Sequence, residues 1–270
     1  MKRKTKSEKE VSKYDILIIT GASSGIGEGF ANFAVNAMKS DAKIINISRT
    51  PTKINSNLIE NFQCDLTDTN ALNSTINKIK LFIANYPTPP KILLINNSGF
   101  GAYGTFPAPT IERNLKMIDL NIKALTALCG AFLPEIKAGK GSIINIASTA
   151  SFQACPQLSV YAASKSYVKS FTIALSQEIQ QYGCKCLCVC PGPTSSMFFK
   201  SAGFDSAPLP SSFGHKPIDV VLKAFNGLYY NKKMVVVGKL NTLQAIITSL
   251  IPECLMVKIS ALVLGKIRKV

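Results

Sequence analysis

Gly21, Gly25 and Gly27 carry the clearest chemical signal in the chain, inside Thr20-Gly21-Ala22-Ser23-Ser24-Gly25-Ile26-Gly27. They follow an apolar run (DILIIT, 15–20) and open a helically patterned stretch. Glycine at such a junction permits a sharp turn, lets backbone N–H groups approach a phosphate, and lets helix and strand pack closely. The helix N-terminus adds partial positive charge. The chemistry implied is binding of a dinucleotide pyrophosphate, with Ser23, Ser24 and Ile26 in the same turn. A second apolar run ends in Ile47-Ser48-Arg49-Thr50. A site for free ribose hydroxyls would place an acid here. Arg49 with the Thr50 hydroxyl suits a 2′-phosphate instead, so NADP(H) is expected over NAD(H). A third run closes at Asp65-Leu66, where Asp65 either accepts from an adenine amine or caps the next helix, as Thr67 equally would.

Eight cysteines raise the question of a metal or a disulfide framework. Cys184, Cys186, Cys188 and Cys190 alternate along one candidate strand and so share a face. At about 6.6 Å per two residues the row cannot converge on one ion. Neighbours in the row would have to bend the strand to form a disulfide. They read as small core residues, in keeping with a reducing cytoplasm. The lone His215, in a polar-flanked loop, reads as a surface residue, and no metal site is expected.

The elements that must position these residues alternate. Candidate strands fall at 15–20, 43–48, 61–65, 91–95, 142–147, 184–190 and 234–237, with helical stretches near 26–39, 69–86, 110–138, 159–182 and 217–230. Most strands are short unbroken apolar runs, as strands covered on both faces should be. The expected architecture is α/β of the Rossmann type: one doubly wound parallel sheet of seven strands with helices on both faces. The boundaries read as a basic flexible arm at 1–13, a nucleotide-binding and catalytic domain at 14–240, and an apolar helical extension at 241–270. Ligands of such sheets sit beyond the carboxyl ends of the strands.

The formal charge is +16, but only four of the 31 basic residues are Arg. Readers of bases and phosphates favour Arg, so no nucleic-acid partner is expected. Lysines thicken at the two ends, which suits a solvated surface or attraction to an anionic lipid or acidic partner. Residues 1–13 lack the apolar stretch of a secretory leader.

TGASSGIG at 20–27, NNSG at 96–99, Asn121, Ser148, YAASK at 161–165 and PGPT at 191–194 together resemble the short-chain dehydrogenase/reductase family in order and spacing over residues 14–240. The resemblance implies hydride transfer between a nicotinamide and a carbonyl or alcohol, with Tyr161 as general acid/base. It implies that Lys165 lowers the tyrosine pKa and holds the nicotinamide ribose. Four residues apart on a helix, the two share a face. It further implies that Ser148 bonds the substrate oxygen, and that Asn121 holds a relay water behind the lysine. Asn97 and Gly99 would pass beside the adenine-side ribose, and Pro191, Gly192 and Thr194 would contact the nicotinamide and its carboxamide. Ser98 stands where the family usually has alanine, a small departure.

The substrate pocket should be walled by loops after the fourth, fifth and sixth strands. These hold Phe100, Tyr103, Phe106, Phe152, Met197, Phe198, Phe199 and Phe204, a lining suited to a lipophilic ketone, aldehyde or acyl group. Some of these would simply pack the loops onto the domain. Residues 243–264 are apolar, with Leu255, Ile259, Leu262 and Val263 at helical spacing. Such a helix would cover the pocket or a subunit interface, or touch a membrane; Pro252, Glu253 and Lys258 argue against a span. The family implies a dimer or tetramer through 110–138 and 159–182. The competing reading is an NADP(H)-binding regulatory or membrane-surface protein without turnover, which would not need the full Asn121, Ser148, Tyr161 and Lys165 set.

Overall fold

The computed structural model describes residues 4–194 and 214–267. In chain order it contains α1 (Lys6–Val11), β1 (Ile16–Thr20), α2 (Gly25–Ala37), β2 (Lys43–Ser48), β3 (Ile59–Gln63), α3 (Thr69–Ala84), β4 (Ile92–Asn96) and α4 (Ile111–Ile118). A π-helical turn (Asp119–Ala124) then leads into α5 (Leu125–Ala138), β5 (Ser142–Ile146), α6 (Ser159–Ile179), β6 (Lys185–Cys190), α7 (Pro217–Tyr229), β7 (Met234–Val236), α8 (Lys239–Leu250) and α9 (Glu253–Ile267).

The strands form one sheet in the order β3-β2-β1-β4-β5-β6-β7, and every pairing is parallel. This is the doubly wound sheet expected from the alternating pattern. All residues of β1, β4 and β5 are buried, which explains their unbroken Ile/Leu content. The edge strand β3 is largely exposed and carries Glu60, Asn61 and Gln63. The chain reverses its winding between β1 and β4, which are direct neighbours. The crevice for a ligand lies at that switch point.

Two apolar layers clamp the sheet. On one side α2 and α7 meet through Phe30 and Phe225, whose rings pack edge to face at 5.6 Å. On the other, Ile79 of α3, Phe132 of α5 and Val168 of α6 share a core with Cys184, Cys186, Cys188 and Cys190. All eight cysteines are free, and no group able to hold a metal occurs among the described residues. The run Ile111–Ala138 is long and apolar enough to cross a membrane by length and composition. Its Leu125, Leu128 and Phe132 are instead spent on this core.

Three local expectations need correction. Residues 4–13 are not a frayed arm: α1 is capped by Thr5, whose Oγ1 accepts from Glu8 N while Thr5 N donates to Glu8 Oε2. Val11 is fully buried, and Glu10, 1% exposed, pairs with Lys13 and Lys185 and accepts from the Tyr14 hydroxyl. One apolar side chain and one buried carboxylate with waiting cations outweigh the polar composition. The helix α3 is capped by Asp68, which accepts from the Asn70 and Ala71 amides, rather than by Asp65 or Thr67. The C-terminal extension is two helices, because Pro252 forces the preceding Ile251 into extended backbone at φ −95°.

Candidate active site

The glycine turn after β1 leaves no room for side chains. A methyl on Gly27 would lie 2.1 Å from the Gly21 carbonyl oxygen, inside any tolerable contact. Gly21 and Gly25 adopt φ +74° and +61°, the left-handed region that favours glycine. Neighbouring strands hold the turn: Gly21 N donates to Ile47 O at 2.9 Å, and Ala22 N to Asn46 Oδ1 at 3.0 Å. Asn97 Nδ2 donates to Thr20 O, and the Asn97 and Ser98 amides both donate to Thr20 Oγ1. Ser24, the N-cap of α2, makes no side-chain cap bond, so the first amides of the helix face outward beside Ser23, Ser24 and Ile26. A cradle this tight, at a helix N-terminus, fits a pyrophosphate.

At the end of β2, Arg49 and Thr50 are exposed, and Ser48 Oγ donates to Thr50 O at 2.5 Å. Asp65, exposed beside buried Leu66, accepts from both the amide and hydroxyl of Thr67. Those hydrogen bonds hold its carboxyl below the usual range, with Arg49 contributing a smaller electrostatic pull. Arg49, Thr50, Asp65 and Leu66 thus collect on one flank of the cradle.

The other flank holds Ser148, Tyr161, Lys165 and Asn121. Ser148 follows β5 and caps the short 3-10 turn Thr149–Phe152, its Oγ accepting from Ala150 N at 3.1 Å. Tyr161 and Lys165 sit one turn apart on α6, 8% and 5% exposed. Lys165 Nζ donates to Ile146 O at 2.9 Å and lies 6.0 Å from the Tyr161 ring centroid. Contrary to the expectation that Lys165 lowers it, the Tyr161 hydroxyl is pushed up to about 12, because burial outweighs the hydrogen bond with Ser148 that draws it partly back. Burial also pushes the Lys165 ammonium down to about 8.

Asn121 stands in the π-helical turn between α4 and α5, an irregularity of the kind often placed at functional sites. Its amide bonds both ways with the Phe100 backbone and donates to Ser164 Oγ at 3.0 Å, pinning the loop after β4 to α6. Gly99 is therefore pressed against the cluster: a methyl there would fall 3.2 Å from Lys165 Nζ and 2.9 Å from Asn121 Oδ1. Pro191 O accepts from Thr149 N at 2.8 Å, joining the loops after β5 and β6. Thr194, buried, donates to Gly192 O.

Of the aromatic wall, Phe100 packs beside Tyr161, Ala102 and Met117. Tyr103 donates to Gln157 Oε1 at 2.6 Å across the two loops. Phe106 is mostly exposed, and Phe152 packs into the main core. Met197, Phe198, Phe199 and Phe204 lie outside the described residues.

Some supporting residues carry no motif. His215 is half-buried rather than a surface residue. Its N–H donates to Pro193 O, and its ring bonds Asn241 Nδ2 at 3.1 Å. Asn241 in turn fills the space over Gly192, where a methyl would meet it at 2.2 Å. Asn46, Asn96 and Asn145 are buried amides within otherwise apolar strands. Asn46 steers the glycine turn, and Asn96, Asn145 and Thr172 form a chain under the site. An amide in the middle of a two-faced apolar run is the signal that would have found them.

The match to known proteins settles the family. Residues 15–205 fit the family model described as short chain dehydrogenase. The chain belongs to that family. This short-chain dehydrogenase is 26% identical to estradiol 17-beta-dehydrogenase 11 of Rattus norvegicus, over 94% of this chain and 85% of that one. Its fold matches a short chain dehydrogenase from Burkholderia cenocepacia in complex with NADP, with TM-score 0.73 and 19% identity, covering 87% of this chain and 92% of the other. It also matches the 3-ketoacyl-(acyl-carrier-protein) reductase of Brucella melitensis complexed with NADH, with TM-score 0.68 and 20% identity, covering 83% and 98%. A nucleotide-binding oxidoreductase acting at CH–OH or C=O is what this membership means.

Proposed function

We propose that this enzyme transfers a hydride between NADP(H) and a lipophilic ketone, aldehyde or acyl-type carbonyl, or the matching alcohol, with Tyr161 as proton donor and acceptor. The observation carrying this reading is the buried Ser148–Tyr161–Lys165 cluster beside the glycine cradle.

The cofactor, when bound, supplies or accepts the hydride. Gly21, Ser23, Ser24, Gly25, Ile26 and Gly27 would hold its pyrophosphate, and Arg49 and Thr50 its 2′-phosphate. Asp65 and Leu66 would flank the adenine, and Asn97 and Gly99 the nearby ribose. Tyr161, Lys165, Pro191, Gly192 and Thr194 would position the nicotinamide end. NADP(H) over NAD(H) rests on Arg49, an exposed guanidinium where an acid would serve free ribose hydroxyls.

Near neutral pH burial keeps Tyr161 protonated, so it arrives at a carbonyl able to donate. In reduction, the carbonyl carbon gains the hydride and its oxygen takes the tyrosine proton, leaving alcohol and tyrosinate. The Lys165 ammonium, charged below about 8, stabilises that tyrosinate. Ser148 Oγ accepts from Ala150 N and bonds the Tyr161 hydroxyl, so with substrate in place its proton would turn toward the developing oxyanion. Asn121 positions Gly99 and α6, and its place behind Lys165 supports the relay role.

A lipophilic substrate is supported by Phe100, Ala102, Met117, Leu158 and Val160 packed around Tyr161. Relatives named for estradiol and 3-ketoacyl compounds agree with it. Exposed Ile111, Leu115, Ile118, Tyr167 and Ile173 on α4 and α6 suit a dimer or tetramer interface. Eight free thiols suit the cytoplasm.

The test follows NADPH oxidation against aldehydes, ketones, 3-oxoacyl thioesters and steroid ketones, with Tyr161→Phe alongside. Turnover should fall by about 10²–10⁴-fold in the variant, with NADPH binding retained. Equal turnover by both proteins would overturn the assignment of Tyr161.

A further inference from the structure

Each of the two C-terminal helices buries one side and exposes large apolar residues on the other. The inner side of α8 buries Ala245 and Thr248 and closes over the core next to Phe152. Its outer side carries Leu240, Leu243, Ile247 and Leu250, spaced at three and four residues, so they form one stripe. Leu240 is 83% exposed and Leu250 77%. The helix α9 repeats the arrangement: Met256 and Ser260 are buried, while Leu255, Ile259 and Leu262 are exposed at i, i+4 and i+7. An apolar outer stripe on each of two successive helices is more than scattered surface hydrophobicity.

Charge decides what covers it. Residues 239–270 hold five basic residues and one acid, Glu253. Lys239 and Lys258 are exposed beside the two stripes. The whole chain carries +16. A second copy brought to this face would carry the same excess of positive charge. An anionic lipid surface offers both complements, acyl chains for the stripe and negative headgroups for the lysines.

We infer that α8 and α9 lie in the plane of an anionic phospholipid surface, with the leucine and isoleucine stripe inserted at the headgroup boundary. The position relative to the site gives the docking a use. Asn241, on the first turn of α8, bonds His215 and packs against Gly192 of the loop after β6. The same helix packs against the Thr149–Phe152 turn that follows Ser148. A bilayer beneath α8 and α9 therefore lies beside the loops that frame the cluster, where a lipophilic substrate would enter from the membrane phase.

The test is co-sedimentation of the full-length protein with vesicles of phosphatidylcholine alone and of phosphatidylcholine with phosphatidylglycerol. It is paired with the oligomeric state by light scattering, and does not depend on turnover. The protein should bind the anionic vesicles, and L240S/L243S/L250S should weaken that binding by about tenfold or more while its circular dichroism stays unchanged. Lys239→Gln with Lys258→Gln should weaken binding to anionic vesicles selectively, and salt should do the same. Binding to neither vesicle, or binding indifferent to the triple substitution, would overturn the inference. A wild-type oligomer that the triple substitution dissociates, without vesicle binding, would assign the face to a second copy instead.

Discussion

Replacing Lys165 with Met should make the protein more stable near neutral pH while removing activity. The side chain is 5% exposed, and burial lowers its pKa from 10.5 to about 8. At about 1.36 kcal/mol per pH unit, that difference corresponds to about 3 kcal/mol of destabilisation of the charged form in the folded state. Methionine keeps most of the apolar stem and escapes this penalty. It also removes the 2.9 Å bond to Ile146 O, and an unsatisfied buried carbonyl costs about 1–3 kcal/mol. The net expectation is a gain of about 1–2 kcal/mol at pH 7. The sign reverses with pH. Because the folded pKa lies below the unfolded one, the unfolded chain binds more protons between about 8 and 10.5, so wild-type stability from this group rises across that window. Once the lysine is neutral in both states only the lost hydrogen bond remains, and the variant becomes the weaker protein. Urea unfolding of both proteins at pH 7 and near pH 10.5 measures the crossing. A variant less stable than wild type at pH 7, or a difference that does not move with pH, would refute the reasoning.

Other consequences are simpler to check. Arg49→Ala should raise KM for NADPH by about tenfold or more while leaving KM for NADH nearly unchanged, read from initial rates with each cofactor. Gly27→Ala should abolish cofactor binding or folding, because its methyl would sit 2.1 Å from a backbone oxygen that no rotamer change can move; NADPH binding measured by fluorescence decides it. Glu10→Ala should cost about 1–3 kcal/mol in urea unfolding, since it removes the buried carboxylate that accepts from the Tyr14 hydroxyl and pairs with Lys13 and Lys185. A cost below about 1 kcal/mol would mean that the Glu10 contacts add little to the folded domain.

Much of this protein is legible in local sequence. The parallel sheet follows from short Ile- and Leu-rich runs alternating with helical stretches, because only strands covered on both faces dispense with a period of two. The glycine turn is readable for a similar reason: Gly21, Gly25 and Gly27 answer a steric demand within eight residues. Tyr161 and Lys165 are one helical turn apart, so the periodicity of a helix is enough to place them together. What sequence could not decide are contacts whose partners lie far along the chain. Glu10 looks like a surface acid until Lys185, 175 residues later, arrives beside it. His215 is unremarkable until α8 returns and Asn241 meets its ring. The family resemblance marks Asn121, but its local sequence reads as regular helix, and only the π-helical turn aims its amide at the Phe100 backbone and Ser164. Local pattern determines which backbone shapes and which close pairs are possible. Burial, and the pKa shifts of Tyr161 and Lys165 that follow from it, arise only when distant segments exclude water together.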